Sequence, residues 1–225
     1  MRMHKKGHLE ERLKDCGDIL IVADLKNKDM RSAVNEKRYL DFKSIFKNDN
    51  PVRLEIGCGK GKFIAETAKL NPDINFVACE KISNVIIDAC ERVKRERIKN
   101  VFFLNCAAEV LEKYFGCKTV EQIYLNFSNP LPKEGYKKQR LTHPRFLEIY
   151  KKILIDGGGI VQKTDDRDFY LFSKESYLSC GFEITGYTED LKNNPAAGDV
   201  ETEHEKLFKE RGKPIFRICA RKTGD

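Results

Sequence analysis

The feature that most constrains the fold is the segment at residues 52–64, Val-Arg-Leu-Glu-Ile-Gly-Cys-Gly-Lys-Gly-Lys-Phe-Ile. It combines a short apolar run typical of a buried strand, a glycine turn and the first residues of a helix. Gly57, Gly59 and Gly61 allow positive φ angles and a close approach of the backbone to a ligand. Glu55 lies at the carboxyl end of the strand, where open α/β sheets bind their ligands. The segment therefore predicts an α/β sheet with a ligand at this turn.

A second acidic residue makes the ligand prediction more specific. Glu80 ends another strand-like run, residues 75–79, and an acid at that position can accept hydrogen bonds from both hydroxyls of a ribose. A dinucleotide fingerprint needs its third glycine one residue later than Gly61, where Lys62 stands. Glu55 would repel phosphates but would attract a cationic group such as the α-amino group of S-adenosylmethionine. These residues favour a methyltransferase over a dehydrogenase, and a tight turn without any ligand is the less favoured alternative.

Strand and helix patterns alternate from Pro51 to the end of the chain. Apolar runs predict strands near residues 52–56, 75–79, 101–104, 122–127, 160–163, 182–188 and 215–220. Helical patterns are found at about 62–70, 83–97, 108–115, from 144, at 168–179 and from 202. This alternation predicts a doubly wound, mostly parallel sheet in a single domain over residues 51–225. Residues 1–50 are polar and basic with weak periodicity, so we expect a basic N-terminal arm there.

The composition limits the class of protein. The 225 residues are 40% hydrophobic, which is enough for one folded domain with a sizeable core. A net charge of +7 suits an anionic partner such as nucleic acid, although simple solubility would also explain it. The cysteines show no Cys-x-x-Cys spacing and the histidines do not cluster with them, so neither a disulfide framework nor a metal site is predicted. With no apolar run near the roughly 20 residues that span a bilayer, we expect no membrane association and a reduced cytoplasmic location.

The loop at residues 126–133, Asn-Phe-Ser-Asn-Pro-Leu-Pro-Lys, leaves the sheet at the edge that is predicted to bind ligands. Asn129 and Lys133 supply polar groups there, and two prolines stiffen the loop. Residues 133–145 then carry five basic residues and one acid, a pattern that favours RNA contact but also fits a solvated basic face. Three cations of this run are predicted to contact RNA phosphates, namely Lys137, Lys138 and Arg140.

Two further polar motifs follow at the ends of predicted elements. Asp165 comes directly after the fifth strand, where it could accept hydrogen bonds from a base edge or cap the following helix. Thr202 and Glu205 have the spacing of a capping box, which by itself predicts only a helix start.

The order and spacing of these motifs resemble the bacterial tRNA (guanine-N7-)-methyltransferases over nearly the whole chain. The resemblance rests on residues 54–61, 71–75, Glu80, 124–128, 132–133, 140–142, 163–165, 202–205 and 212–217. It implies a Rossmann-like class I methyltransferase fold, with a seven-stranded, mostly parallel sheet whose last strand is antiparallel. It also implies methyl transfer from S-adenosylmethionine to N7 of guanine 46 in the variable loop of tRNA. We expect a monomer or homodimer that binds tRNA and no metal.

The resemblance also assigns roles to individual residues. Cofactor contacts would come from Glu55, Gly57, Gly59, Gly61, Glu80, Ala107 and Asn129. The target guanosine would be held by Lys133, Asp165, Thr202 and Glu205. Among these residues, Asn129 and Asp165 would lie at the catalytic centre.

Three features depart from the pattern of the family: the loop at residues 129–133, Ala107, and the basic run after Lys133, which Glu134 and Gly135 interrupt. Asn129 and Leu131 stand where the family usually has Asp and Trp, and Ala107 stands where it has Asp. Asn keeps a carbonyl acceptor but lacks the charge, and Leu offers no stacking ring. Two alternatives therefore stay open: an RNA-binding homologue with weakened or lost activity, and a methyltransferase that acts on another RNA site or on a small molecule.

Overall fold

The structure, a computed structural model, describes residues 5–23, 35–195 and 200–224. Its strands are Leu20–Val22 (β1), Val52–Ile56 (β2), Asn75–Cys79 (β3), Val101–Asn105 (β4), Val120–Asn126 (β5), Leu154–Thr164 (β6), Phe182–Thr188 (β7) and Phe216–Lys222 (β8). Its α-helices are Leu9–Asp15 (α1), Phe42–Phe46 (α2), Lys62–Leu70 (α3), Ser83–Arg95 (α4), Leu111–Tyr114 (α5), Pro144–Ile153 (α6), Arg167–Ser179 (α7) and Glu203–Glu210 (α8). Two 3₁₀ turns cover Ala108–Val110 and Glu134–Gln139.

The strands form one sheet in the order β1-β4-β3-β2-β5-β6-β8-β7. β2 lies between β3 and β5 and is parallel to both, with Glu55 in register with Ala78 and Tyr124. β8 runs antiparallel between β6 and β7. The predicted doubly wound, mostly parallel sheet with an antiparallel last strand is confirmed. Because parallel strands end at the same edge, this topology brings the polar residues that follow β2 to β6 together.

Helices cover both faces of the sheet, so the central strands are buried on both sides. β3 and β4 are buried along their whole length, which explains their continuous apolar sequences. α3 and α4 place apolar residues on one face, with Ile64, Ala68, Ile86 and Val93 fully or almost fully buried. None of the described helices is long and apolar enough to cross a membrane.

Gly61 lies at a close contact between α3 and α4. It is the N-cap of α3 and has a φ of 74°. A Cβ added there would lie 2.5 Å from Ala89 Cβ and 2.9 Å from Ala89 Cα, which is closer than real Cβ atoms come to other atoms. Glycine is therefore required at this position both for the left-handed backbone and for the packing of the two helices.

The sheet differs from the predicted one at two places. Part of residues 1–50 joins it, because β1 pairs in parallel with residues 103–105 of β4 and gives eight strands where seven were expected. β6 begins at Leu154 and not near Ile160, so that it runs through three glycines. Its pairing with β5 shifts register between Val120 and Gln122, and a Cβ at Gly158 would lie 2.9 Å from the Glu121 carbonyl oxygen. The glycines are thus part of the strand at an irregular, close contact.

We expect Gly61→Ala to destabilise the protein by about 2–5 kcal/mol, because it combines left-handed strain with overpacking against Ala89. Gly57→Ala is the matched control, since Gly57 has a φ of 81° but nothing within 4 Å of an added Cβ. Gly57→Ala should lower the free energy of unfolding by only about 1–2 kcal/mol, because it introduces the left-handed strain without the overpacking. Urea unfolding in the absence of ligand measures both changes. Equal losses in the two variants would contradict the helix contact as the reason for glycine at position 61.

Candidate active site

Two neighbouring cavities lie at the carboxyl ends of the parallel strands. The larger, of about 330 Å³, is lined by Glu80, Ala107 and Asn129 among others. The smaller, of about 110 Å³, lies over the glycine turn and is lined by Glu55 and Thr202 among others. Three residues line both cavities, namely Gly57, Asn126 and Phe127. The cavities therefore meet where β2 and β5 end, at the ligand edge that the sequence predicted.

Glu55 is a buried acid with one unsatisfied oxygen. Its side chain is 2% exposed, and Oε1 accepts a hydrogen bond from Asn126 Nδ2 at 3.1 Å. Oε2 has no hydrogen-bond partner among the residues that the structure describes. Burial raises the pKa of Glu55 to about 7, even though the Asn126 hydrogen bond acts in the opposite direction. A buried carboxylate in this condition favours a cationic group nearby.

The glycine turn leaves room beside this carboxylate. Gly57 and Gly59 have φ angles of 81° and 57°, and a Cβ added to either would meet nothing within 4 Å. Gly57 N and Cys58 N both donate to Cys79 O, which holds the turn against the end of β3. The open backbone and the orphaned Glu55 oxygen fit the amino-acid end of S-adenosylmethionine, whose α-ammonium would satisfy that oxygen.

Glu80 is held rigidly at the rim of the larger cavity. Its backbone nitrogen donates to Leu104 O, and its carbonyl accepts a hydrogen bond from Asn105 Nδ2 at 2.8 Å. Its Oε1 accepts from Ile82 N at 3.0 Å, and its second carboxylate oxygen has no hydrogen bond to the described residues. This geometry fits an acceptor for ribose hydroxyls. Ala107 lines the same cavity but offers only its backbone for polar contact.

The loop after β5 is strained at two residues. Phe127 and Leu131 have φ angles of 49° and 46°, which bulky residues rarely adopt. Phe127 N donates to Lys163 O at 2.8 Å, so the loop starts from a fixed position. Asn129 is exposed and lines the larger cavity, and its Oδ1 accepts a hydrogen bond from Leu131 N at 3.1 Å. Its amide nitrogen, which forms no hydrogen bond with the described residues, is left available to a ligand.

The Thr202–Glu205 segment is bound to the sheet by a buried ion pair. Lys163 Nζ lies 2.8 Å from Glu205 Oε2 and also donates to Val200 O at 3.0 Å. Glu205 Oε1 lies 2.9 Å from Lys209 Nζ. Burial alone would raise the pKa of Glu205, but the hydrogen bonds and charges of Lys163 and Lys209 lower it below its ordinary value. The capping box is present, with Thr202 accepting from Glu205 N.

In this structure Glu205 has a structural role. Both of its carboxylate oxygens lie within 2.9 Å of lysines, and its side chain is buried, while its contact with guanosine stays a prediction. Its place is that of an anchor for the start of α8. Thr202 lines the smaller cavity, although its side-chain oxygen already accepts the capping hydrogen bond.

Asp165 and Lys133 lie outside the linings of both cavities. Asp165 is partly exposed just beyond β6, with Lys213 Nζ 3.9 Å from its Oδ2. The helix cap that the sequence allowed for Asp165 belongs instead to Asp166, which accepts a hydrogen bond from Phe169 N. Lys133 is exposed at the end of the strained loop.

Arg140, one of the three predicted RNA contacts, is buried in this structure. It is 4% exposed, and its guanidinium lies 4.5 Å from the Phe172 ring centroid. A phosphate cannot reach it in this conformation. Lys138 is exposed, as the prediction requires, whereas Lys137 pairs with Glu134 at 2.7 Å.

Sequence reasoning missed two residues at the centre of the site. Asn126 is the partner of Glu55, and Lys163 is the partner of Glu205. Both lie in motifs that the sequence analysis had noted, but their roles depend on contacts across the sheet. In the described parts of the chain, no group of three or more His, Cys, Asp or Glu residues could hold a metal ion.

Comparison with known proteins identifies relatives over most of the chain. Residues 49–218 match the model of a family described as "Putative methyltransferase". A tRNA (guanine-N(7)-)-methyltransferase of Bacillus subtilis (strain 168) is 38% identical over 96% of this chain and 97% of its own length. The enzyme of the same description from Alkaliphilus oremlandii (strain OhILAs) is 42% identical over 78% of this chain and 83% of its own length.

Solved structures show the same fold at much lower identity. The 16S rRNA methyltransferase KamB superposes with a TM-score of 0.62 at 16% identity, over 84% of this chain and 96% of its own. An antibiotic-related methyltransferase gives a TM-score of 0.63 at 16% identity, over 80% and 92% of the two chains. At such identities the likeness concerns the fold alone.

We expect Glu55→Gln to stabilise the ligand-free protein above pH 7. The pKa of Glu55 is raised from 4.5 to about 7, so the contribution of Glu55 to stability is present below pH 4.5 and is lost as the pH rises through 7. A shift of this size corresponds to about 3 kcal/mol at pH 8, and Gln keeps an acceptor for Asn126. Urea unfolding at pH 5 and pH 8 measures the difference, with the exposed Glu210→Gln as control. A Glu55→Gln effect that is the same at both pH values would contradict the raised pKa.

Proposed function

Because this chain belongs to the bacterial tRNA (guanine-N7-)-methyltransferases, we propose that it transfers the methyl group of S-adenosylmethionine to N7 of guanine 46 in the variable loop of tRNA. The observation that carries the proposal is the buried Glu55 carboxylate, which has one oxygen without a partner beneath an open glycine turn. Glu80 lines the adjoining larger cavity. A ligand with a cation at one end and a ribose nearby satisfies both acids.

The chain binds and orients its two substrates and needs no general base. S-adenosylmethionine, when bound, supplies an electrophilic methyl group on a sulfonium centre. N7 of guanine already carries an in-plane lone pair, and its methylation releases no proton. Catalysis would therefore come from holding N7 in line with the methyl group, a proximity effect. Glu55 and Glu80 would orient the cofactor, and the junction of the cavities at Gly57, Asn126 and Phe127 is where the methyl group would face the base.

The target guanine would enter from the side of the smaller cavity. His204 and Phe127 both line this cavity, and their rings stack with centroids 5.6 Å apart. Asp165 follows β6 on the same edge and would accept hydrogen bonds from the Watson–Crick edge of the base. The guanine has to leave its stack in the tRNA to reach this depth. Glu205 would support this arrangement indirectly, because it holds the start of α8 through Lys163.

The tRNA backbone would follow exposed lysines around the mouth of the cavities. Lys133 and Lys138 lie on one side, after the strained loop, and both are exposed. Lys60 and Lys81 line the smaller and the larger cavity, respectively, and are also exposed. Cations on both sides of a cavity at the end of the sheet provide phosphate contacts that position RNA without reading its sequence.

A reducing compartment such as the cytoplasm fits the state of the cysteines. None of the eight, which all lie among the described residues, forms a disulfide bond. Cys79 Sγ and Cys106 Sγ lie 3.5 Å apart at the ends of β3 and β4 and are not joined. Unpaired cysteines in such proximity are typical of proteins kept reduced. We therefore place the reaction in the cytoplasm.

Nucleoside mass spectrometry after incubation with S-adenosylmethionine tests the proposal. An unmodified tRNA transcript with guanine at position 46 should gain one 7-methylguanosine, and a transcript with adenine at position 46 should gain none. Methylation that persists in the adenine transcript would assign the enzyme to another site. Cofactor binding without any product would favour the RNA-binding homologue.

The lysine surface gives a separate prediction about tRNA affinity. Replacing Lys133 and Lys138 by Met should lower the slope of log K against log salt by roughly 1.4–1.8, because each phosphate contact contributes about 0.7–0.9. The matched control is Lys47→Met with Lys99→Met, two exposed lysines that precede β2 and β4 at the opposite edge of the sheet. The control should keep the wild-type slope in filter-binding measurements. An unchanged slope in the first pair would make Lys133 and Lys138 part of a solvated face only.

A further inference from the structure

We propose that Arg140 is a positioning residue for methyl transfer, which acts through Leu131 to fix the side chain of Asn129. The proposal rests on the proposed function for its link to catalysis, whereas the hydrogen bonds on which it is built are independent of that function. It replaces the contact with RNA phosphate that the basic character of residues 133–145 had suggested for Arg140.

Arg140 is a buried cation without an acidic partner. It is 4% exposed, its Nε has no hydrogen-bond partner, and it forms no ion pair with the described residues. Its guanidinium lies over two rings of α7, 4.5 Å from the Phe172 centroid and 5.9 Å from that of Phe169. A cation buried in this way is costly unless its remaining contacts compensate for lost hydration. The hydrogen bond from Nη2 to Leu131 O, at 3.3 Å, is therefore one of few interactions that hold it.

Leu131 connects this buried cation to the ligand cavity. Its carbonyl oxygen accepts the hydrogen bond from Arg140, and its N–H donates to Asn129 Oδ1 at 3.1 Å. Pro130 and Pro132 have no N–H, so between them Leu131 provides the only backbone donor. Its φ of 46° is unfavourable for a leucine and needs support from its surroundings. Arg140 supplies such support from one side of the residue, and Asn129 is bound on the other.

The same contacts tie the loop to the second predicted catalytic residue. Phe169 lies in the first turn of α7, where its N–H donates to Asp166 at 2.7 Å. Asp165 is the preceding residue. Arg140 therefore connects the loop that carries Asn129 to α7, the helix that begins beside Asp165. Fixing both residues to one framework would hold the cofactor side and the base side of the site in constant relative positions, as alignment of N7 with the methyl group requires.

Single-turnover kinetics at saturating tRNA and cofactor test the catalytic part. Arg140→Met should lower the rate constant at least about tenfold, as Asn129→Ala should, and the double variant should lose little more than the larger single loss. Arg140→Lys, which keeps a donor for Leu131 O, should recover to within about fivefold of wild type. The salt dependence of tRNA binding should stay unchanged in Arg140→Met, whereas Lys138→Met lowers it.

Amide hydrogen exchange of ¹⁵N-leucine-labelled protein tests the structural part without any substrate. The Leu131 N–H should exchange at least about fivefold faster in Arg140→Met, and at the wild-type rate in Lys138→Met. If Arg140→Met does not fold, Arg140→Lys replaces it, and the Leu131 N–H should then exchange at a rate between those of wild type and Asn129→Ala, which removes the acceptor of that N–H.

Three results would overturn the proposal: unchanged Leu131 exchange, losses that multiply in the double variant, or a reduced salt slope in Arg140→Met. An absence of methylation by the wild type, with the exchange result as expected, would instead refute the proposed function and leave the Arg140 contact standing.

Discussion

The site is organised around one carboxylate that the fold keeps away from water. Glu55 is 2% exposed at the end of the central strand, and only one of its oxygens has a partner. Burying a charge in this way costs stability, which the pKa of about 7 expresses. The rest of the sheet has to offset this cost. The side chains of β3 and β4, which are buried along both strands, contribute to that. In the ligand-free protein the second oxygen of Glu55 is unsatisfied, and a cationic ligand would satisfy it.

A second buried acid, Glu205, has both of its carboxylate oxygens paired with lysines. Lys163 and Glu205 are 1% and 4% exposed in their side chains, and their 2.8 Å contact joins the end of β6 to the start of α8. Removing either partner would leave an uncompensated buried charge. The contrast with Glu55 separates the two sides of the site: the unpaired acid fits a ligand, and the paired acid supports a structural element. Glu205 thereby fixes the start of the Thr202–Glu205 motif.

Two positions at which this chain departs from the pattern of its family, Asn129 and Leu131, lie in the loop after β5, whereas Ala107 follows β4. Asn129 and Leu131 occupy the positions of the usual Asp and Trp, and both take part in the hydrogen bonds that shape the loop. Asn129 still accepts a hydrogen bond from the backbone, as an Asp would, and it offers a neutral amide to the cavity. Phe127 and His204 provide aromatic surface beside the smaller cavity, where Leu131 provides none. The chemistry proposed for the site needs positioning rather than proton transfer, so a neutral side chain at position 129 is compatible with it.

The sequence by itself determined that the sheet is doubly wound and mostly parallel, and it located the ligand edge and most of its acids. The glycine turn, Glu55 and Glu80 could be located because parallel strands end together and because local periodicity marks where each strand stops. Contacts between distant segments could not be located in this way. Arg140 belongs to a basic run with the pattern of a solvated face, yet it is buried against Phe172. Glu205 forms an ion pair with Lys163, a residue 42 positions away. β1 has only three residues, too few to show a period, and it exists because β4 offers it an edge. Local patterns show which side chains are polar. Only the tertiary structure decides which of these side chains pair with one another and which remain available to a ligand.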